Sequence, residues 1–191
     1  MEQKHQFTKL GIVGGGQLAK MLASVCKINE VHLTILDPEP DPPARQMAVC
    51  HIIGDFHDEE SLRKLCAASD VVTFDLEDVG ADILITLGKT DVRIVPFPEI
   101  IELIQNKLKQ KQHYSKHGLP TAEYKVLDQD AIFESVETFG LPCVQKTHTG
   151  GYDGHGVYLI RSESDWEGRL PSDSFVEAFI ENCVELAVMV V

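Results

Sequence analysis

The chain has 191 residues, 43% hydrophobic and 25% charged, enough for one large domain or two small ones with real cores and unlike a disordered or low-complexity chain. With 17 Lys and Arg against 30 Asp and Glu, the formal net charge is −13. A field of that sign repels a nucleic-acid polyanion, yet screening within about 8–10 Å leaves room for a small anion held by a local nest of N–H groups or a pair of lysines.

No apolar run approaches the roughly 18 residues of a membrane span, and the N-terminal Met1-Glu2-Gln3-Lys4-His5-Gln6 has no apolar signal core. These features predict a cytoplasmic protein without membrane or nucleic-acid partners. The five cysteines (Cys26, Cys50, Cys66, Cys143, Cys183) are odd in number, far apart and without a Cys-x-x-Cys pair. They read as small hydrophobes and not as a disulfide framework or a zinc site.

In chain order, Leu10–Val13 is a short apolar run that enters Gly14-Gly15-Gly16, and Leu18, Met21 and Leu22 then recur at helical spacing. Val31–Asp37 alternates as a second strand, stopped by the prolines of Pro38–Pro43, and Val49–Ile53 is a third. A helix follows from Asp58, an N-cap candidate, through Leu62 and Leu65. Val71–Phe74 and Val92–Val95 are two further strands. This alternation predicts an α/β fold whose first domain, residues 1–97, is a Rossmann-like, doubly wound parallel sheet.

After Pro96 and Pro98 the pattern changes to α+β, giving a second domain over residues 98–191. Glu99–His117 reads as helical, broken near Asn106 and closed by Gly118 and Pro120. Strands are predicted at Glu123–Leu127, Pro142–Lys146, Val157–Ile160, Ser174–Phe179 and Val184–Val191, with a helix over Gln129–Phe139. The last strand has no polar cap and presents an edge that needs a neighbour, so the expectation is a segment of a longer protein.

Two glycine loops carry the chemistry. Gly14-x-Gly16-x-x-Ala19, between a strand and a helix, fits the dinucleotide-binding pattern, and Asp37 lies where an acid could hold a ribose hydroxyl. A phosphate-bearing ligand, a nicotinamide or flavin, and a tight turn without ligand all remain open there. The second loop places four glycines within 150–156, between two apolar runs, and is too long for a two-residue hairpin turn. Ordering it costs about 1–2 kcal/mol per residue, an expense that a flap closing over phosphates explains. Lys146 ends the strand before it, placed to reach phosphates under the loop.

A lysine on a strand, a glycine-rich flap and a strand with two acids resemble the ATP-grasp superfamily. Closer still, Gly14-Gly15-Gly16-Gln17-Leu18, Phe74-x-x-Glu77-x-Val79, Lys107 through Lys111-Gln112, Gly118-Leu119-Pro120-Thr121, Gly150-Gly151-Tyr152-Asp153-Gly154-x-Gly156, Val176-Glu177 and Glu185-Leu186 are together similar to the 5-(carboxyamino)imidazole ribonucleotide synthase family of purine biosynthesis. The resemblance implies a pre-ATP-grasp domain followed by the first part of an ATP-grasp domain. It also implies ATP-dependent carboxylation of aminoimidazole ribonucleotide by bicarbonate, with ADP and phosphate released through carboxyphosphate.

The same resemblance implies the site residues. Lys107 and Lys146 would face the ATP phosphates under a flap of Gly151, Tyr152, Asp153, Gly154, His155, Gly156 and Val157. Glu177, Ala178, Phe179 and Ile180 would line the adenine slot, and Glu185 would accept ribose hydroxyls. Gly16, Gln17, Leu18 and Glu77, with Tyr152, Asp153 and His155, would contact the ribonucleotide, Asp153 orienting or deprotonating its amine beside Tyr152.

Family members are commonly dimeric, and their Mg2+ ligands are expected beyond residue 191, so this chain alone is expected to bind nucleotide weakly and turn nothing over. Departures from the family pattern are Ala19 for glycine, Asp75 for glutamate, Val157 for glutamine, and His155 for a lysine or arginine. The imidazole, with a reference pKa of about 6.5, makes contact there pH-dependent. The alternatives are another purine-pathway ATP-grasp ligase or formyltransferase, and an NAD-binding oxidoreductase using the first loop and Asp37.

Overall fold

A computed structural model describes residues 8–89, 92–128, 130–151, 155–170 and 173–188. The chain divides into two compact units, Met1–Gln105 and Asn106–Val191.

The first unit holds β1 (Lys9–Val13), α1 (Gln17–Ile28), β2 (His32–Asp37), β3 (Cys50–Ile53), α2 (Glu59–Ala67), β4 (Val71–Phe74), α3 (Ala81–Leu87), β5 (Arg93–Ile94) and α4 (Pro98–Gln105). Its five strands pair in the order β3-β2-β1-β4-β5, all parallel, as the alternation of elements predicts. β1 and β2 are buried along nearly their whole length, which is why they read as continuous apolar runs. One core packs Leu62, Leu65 and Leu84 against Val13, Leu36 and Val72; a second packs Ala19 and Ala23 of α1 against Ile12 and Ile35.

Asp58 caps α2 as expected, its carboxylate accepting from the Ser61 N–H at 2.9 Å. Helix α3 has no counterpart in the sequence reading. Residues 98–105, read there as the start of the second region, form α4, whose Ile101 is buried in the first unit's core.

The second unit holds α5 (Lys107–Lys116), β6 (Tyr124–Val126), α6 (Ile132–Phe139), β7 (Cys143–Thr147), β8 (Val157–Ile160), a 3-10 turn over Glu163–Gly168 and β9 (Ser174–Ala178). Asn106, the expected break, is the N-cap of α5, accepting from the Lys109 N–H at 2.9 Å. The sheet is antiparallel in the order β6-β9-β7-β8. One face packs Cys143, Ile160 and Val176 onto Val136 of α6.

The strand predicted over 184–191 does not form in its described part: residues 184–188 are in no strand and Leu186 is 88% exposed. No described strand pairs with it, so its exposed backbone is left to water and forms no ladder. Gln129, at the start of the predicted second-unit helix, lies outside the described residues.

Candidate functional site

In the first unit, the strand order puts β1 between β2 and β4, at the point where the sheet's connections reverse direction. The loop after β1 therefore meets the residues ending its two neighbours. Gly14 N–H donates to the Leu36 carbonyl at 2.8 Å, and Asp75 N–H to the Val13 carbonyl at 2.8 Å. Gly15 N–H donates to Asp37 Oδ2 at 2.7 Å, Gly16 N–H to Asp75 Oδ2 at 2.5 Å and Ala19 N–H to Asp75 Oδ1 at 3.1 Å.

Asp37 is buried and also accepts from the Glu39 N–H at 2.9 Å. It is thus part of the turn and not placed to hold a ribose hydroxyl, which removes the acid on which the NAD-binding alternative relied. Gln17 and Leu18 begin α1 with their side chains outward, Leu18 60% exposed. Glu77 is exposed beyond β4, its carbonyl accepting from Gln105 Nε2 at 2.7 Å.

In the second unit, the antiparallel register of β7 and β9 sets Val144 opposite Glu177 and Lys146 opposite Phe175. Lys146 and Glu177 are thus diagonal neighbours on one face of the sheet. Lys146 Nζ pairs with Glu177 Oε1, and Lys111 Nζ, from α5, lies 2.6 Å from Glu177 Oε2. Lys111 also donates to Thr121 Oγ1 at 2.8 Å.

The Glu177 side chain is 10% exposed. Burial pushes its carboxyl up, but hydrogen bonds and charge from Lys111 and Lys146 outweigh that and hold it below the ordinary carboxylate value. Burial instead raises the Cys66 thiol to about 11, so this cysteine acts as a hydrophobe.

The loop between β7 and β8 is closed at its base by the Thr147 N–H donating to the Gly156 carbonyl at 2.9 Å. Gly156 has φ +69° and packs on Thr147 Oγ1, so a side chain there would be strained and would clash. Lys107, at the start of α5, donates through Nζ to the Gly151 carbonyl at 2.6 Å and through its backbone N–H to the His148 carbonyl at 2.8 Å. Thr147 Oγ1 and His148 Nε2 are buried without a hydrogen-bond partner among the described residues, the sort of unmet polar group a ligand completes.

Lys107, Lys146, Gly151, Gly156 and Glu177 are therefore gathered at one end of the sheet. His155 and Val157 are exposed at the far side of the loop, and Tyr152, Asp153 and Gly154 lie outside the described residues. Ala178 ends β9, with its N–H donating to the Glu123 carbonyl at 2.9 Å. Phe179, Ile180 and Glu185 follow it and are exposed, Ile180 at 59%.

Lys111 and Thr121 lie in segments the sequence reading matched but gave no role. The signal available was spacing: Lys107 and Lys111 share a helix face. Among the described residues no group of three or more His, Cys, Asp or Glu side chains could hold a metal ion, and both Glu177 oxygens face ammonium groups. Among the described residues no helix is long and apolar enough to cross a membrane.

Comparison with known proteins agrees with this geometry. A family model described as ribonucleotide synthetase preATP-grasp domain matches residues 7–105, and an ATP-grasp domain model matches residues 112–191. The chain is 32% identical over 187 residues to the N5-carboxyaminoimidazole ribonucleotide synthase of Bacillus subtilis, covering 95% of this chain and 49% of that protein.

Among solved structures it superposes on the N5-carboxyaminoimidazole ribonucleotide synthetase of Thermotoga maritima with TM-score 0.82 and 38% identity, covering 91% of this chain and 46% of that one. It superposes likewise on the N5-carboxyaminoimidazole synthase of Aspergillus clavatus in complex with ADP and aminoimidazole ribonucleotide, with TM-score 0.80 and 30% identity, covering 90% and 46%. The chain spans about half the length of each of these relatives. With parallel and antiparallel units in the expected order and a family model over residues 7–105, the chain belongs to the ribonucleotide synthetase preATP-grasp family, with an ATP-grasp domain as its second unit.

Proposed function

We propose that this chain is the nucleotide-binding part of an N5-carboxyaminoimidazole ribonucleotide synthase, which uses ATP and bicarbonate to carboxylate aminoimidazole ribonucleotide in purine biosynthesis. The observation that carries the reading is the charge arrangement of the second unit. Among the described residues, three ammonium groups, Lys107, Lys111 and Lys146, stand with the carboxylate of Glu177 near the base of the glycine loop. Those four side chains sum to a net positive charge inside a chain of net charge −13, and the complement they require is a polyanion of modest size. A unit pair at 4 Å and an effective dielectric of about 20 is worth about 4 kcal/mol, enough to position a triphosphate.

On this reading Lys107 and Lys146 hold the ATP phosphates, and Gly151–Val157 closes over them. The backbone of Glu177–Ile180 serves the adenine edge, and Glu185 takes the ribose. Bicarbonate attacks the γ-phosphoryl group, giving ADP and carboxyphosphate. The exocyclic amine then forms the N–C bond as the C–O bond to phosphate breaks, releasing inorganic phosphate, with the amine proton lost to that phosphate or to Asp153. Closure of the loop keeps water from that intermediate. Gln17, Leu18 and Glu77 of the first unit contact the ribonucleotide, with Asp153 orienting its amine beside Tyr152. Mg2+ on the nucleotide, bicarbonate as the carboxyl source and a cytoplasmic location belong to the same proposal.

The test is an ADP titration of the chain followed by amide NMR. Saturable shifts are expected at Lys107, Gly151 and Gly156, with Lys146→Met weakening the affinity about 100-fold, or about 2.7 kcal/mol. Shifts confined to other residues, or an unchanged affinity in the variant, would contradict it.

A further inference from the structure

The turn at Gly14–Ala19 has the sequence of a phosphate cradle, yet its N–H groups are already engaged by the protein's own carboxylates: Gly15 by Asp37, and Gly16 and Ala19 by Asp75. The small residues serve that engagement. A Cβ on Gly16 would lie 2.5 Å from Asp75 Oδ2, and one on Gly15 would lie 2.8 Å from Pro42 Cγ and 3.2 Å from Asp37 Oδ2. The space left by the missing side chains is filled by two aspartates and a proline, where a cradle would leave it open to a ligand.

Charge points the same way. A helix N-terminus offers about half a positive charge. Two acidic side chains are set against it, so the field at the turn opposes an incoming phosphate. What stays open is the outward part of the first helical turn. The Gln17 and Leu18 N–H groups are taken by neither aspartate, the Gln17 side chain is exposed, and Leu18 is 60% exposed. An amide and an aliphatic side chain suit a neutral heteroaromatic amine and sugar hydroxyls.

We propose that Asp37 and Asp75 are specificity-determining residues that close this turn to phosphate and leave Gln17 and Leu18 as its open positions. The inference rests on the ribonucleotide reading above for the identity of the ligand, but not for the closure itself.

The test is an amide NMR titration of the chain with inorganic phosphate, using sodium chloride at matched ionic strength as the control, repeated on Asp75→Asn and, should that variant not fold, on Asp37→Asn. The wild-type Gly15, Gly16 and Ala19 signals are expected to stay in place, and the variant's to shift saturably with an apparent affinity about tenfold or more above wild type. Saturable wild-type shifts at these amides would overturn the closure, as would a folded variant that gains no phosphate binding. Addition of aminoimidazole ribonucleotide separates the two claims. Absence of shifts at Gln17 and Leu18 with the phosphate result intact overturns the ribonucleotide reading and leaves the closure standing.

Discussion

The two glycine loops of this chain look alike in sequence and have opposite electrostatics. In the first unit the turn after β1 is met by carboxylates, because Asp37 ends the neighbouring strand β2 and Asp75 directly follows the other neighbour, β4. In the second, the loop after β7 is met by ammonium groups: Lys146 is the next-to-last residue of β7 and Lys107 opens α5. Glycines allow close approach in both places. What approaches is decided by the residues that end the adjacent elements. A glycine-rich turn therefore says that something comes near the backbone, and the sheet order says what.

The difference between the units can be broken first at Glu177. Glu177→Ala removes the carboxylate in contact with both Lys111 and Lys146 and leaves two partly buried ammonium groups without it. Such losses cost about 3–5 kcal/mol, to be read as a lowered urea midpoint of the second unit by the fluorescence of Trp166, the single tryptophan of the chain. An unchanged midpoint would mean that the bridge does not organise this face.

The pH dependence sharpens the same point. The folded carboxyl is held below its ordinary value of 4.5, so its stabilisation is present above that value and is lost as pH falls through the lower folded one. Wild type is expected to lose second-unit stability below about pH 4.5 by more than Glu177→Gln does; parallel acid limbs for the two would contradict the assignment.

The smallest effect is expected at Lys111, which touches the opposite oxygen of Glu177 from Lys146. Lys111→Met should weaken ADP binding about tenfold, about 1.4 kcal/mol, with Lys111→Arg restoring most of it. Equal affinities in all three proteins would leave Lys111 a packing residue.

Much of this was readable in the sequence. Val71–Phe74 and Val157–Ile160 have the strand bounds predicted from their apolar runs, Asp58 acts as the N-cap its position suggests, and the helical break expected near Asn106 falls there. Helix α3 was hidden because Asp82–Leu87 is a nearly continuous aliphatic stretch; its period shows only in the burial of Ala81, Leu84 and Leu87. The run at 184–188 illustrates the converse, since apolar content alone does not make a strand without a partner.

Of the lysines of the second site, Lys146 was visible from the strand before the loop and Lys107 from the family resemblance, whereas Lys111 was given no role. The occupants of the first turn were not visible. Asp75 lies 59 residues from Gly16, and only the order β2-β1-β4 brings it there. Spacing from a motif suggested a ribose ligand for Asp37, whereas parallel pairing of β1 with β2 hands its carboxylate to Gly15.

A crystal structure of this chain with ADP tests the central claim most directly. The diphosphate is predicted within hydrogen-bonding distance of Lys107 Nζ and Lys146 Nζ, beneath the loop that begins at Gly150, with adenine along Glu177–Ile180. A nucleotide seated on the Gly14–Ala19 turn, or anywhere out of reach of both ammonium groups, would contradict it.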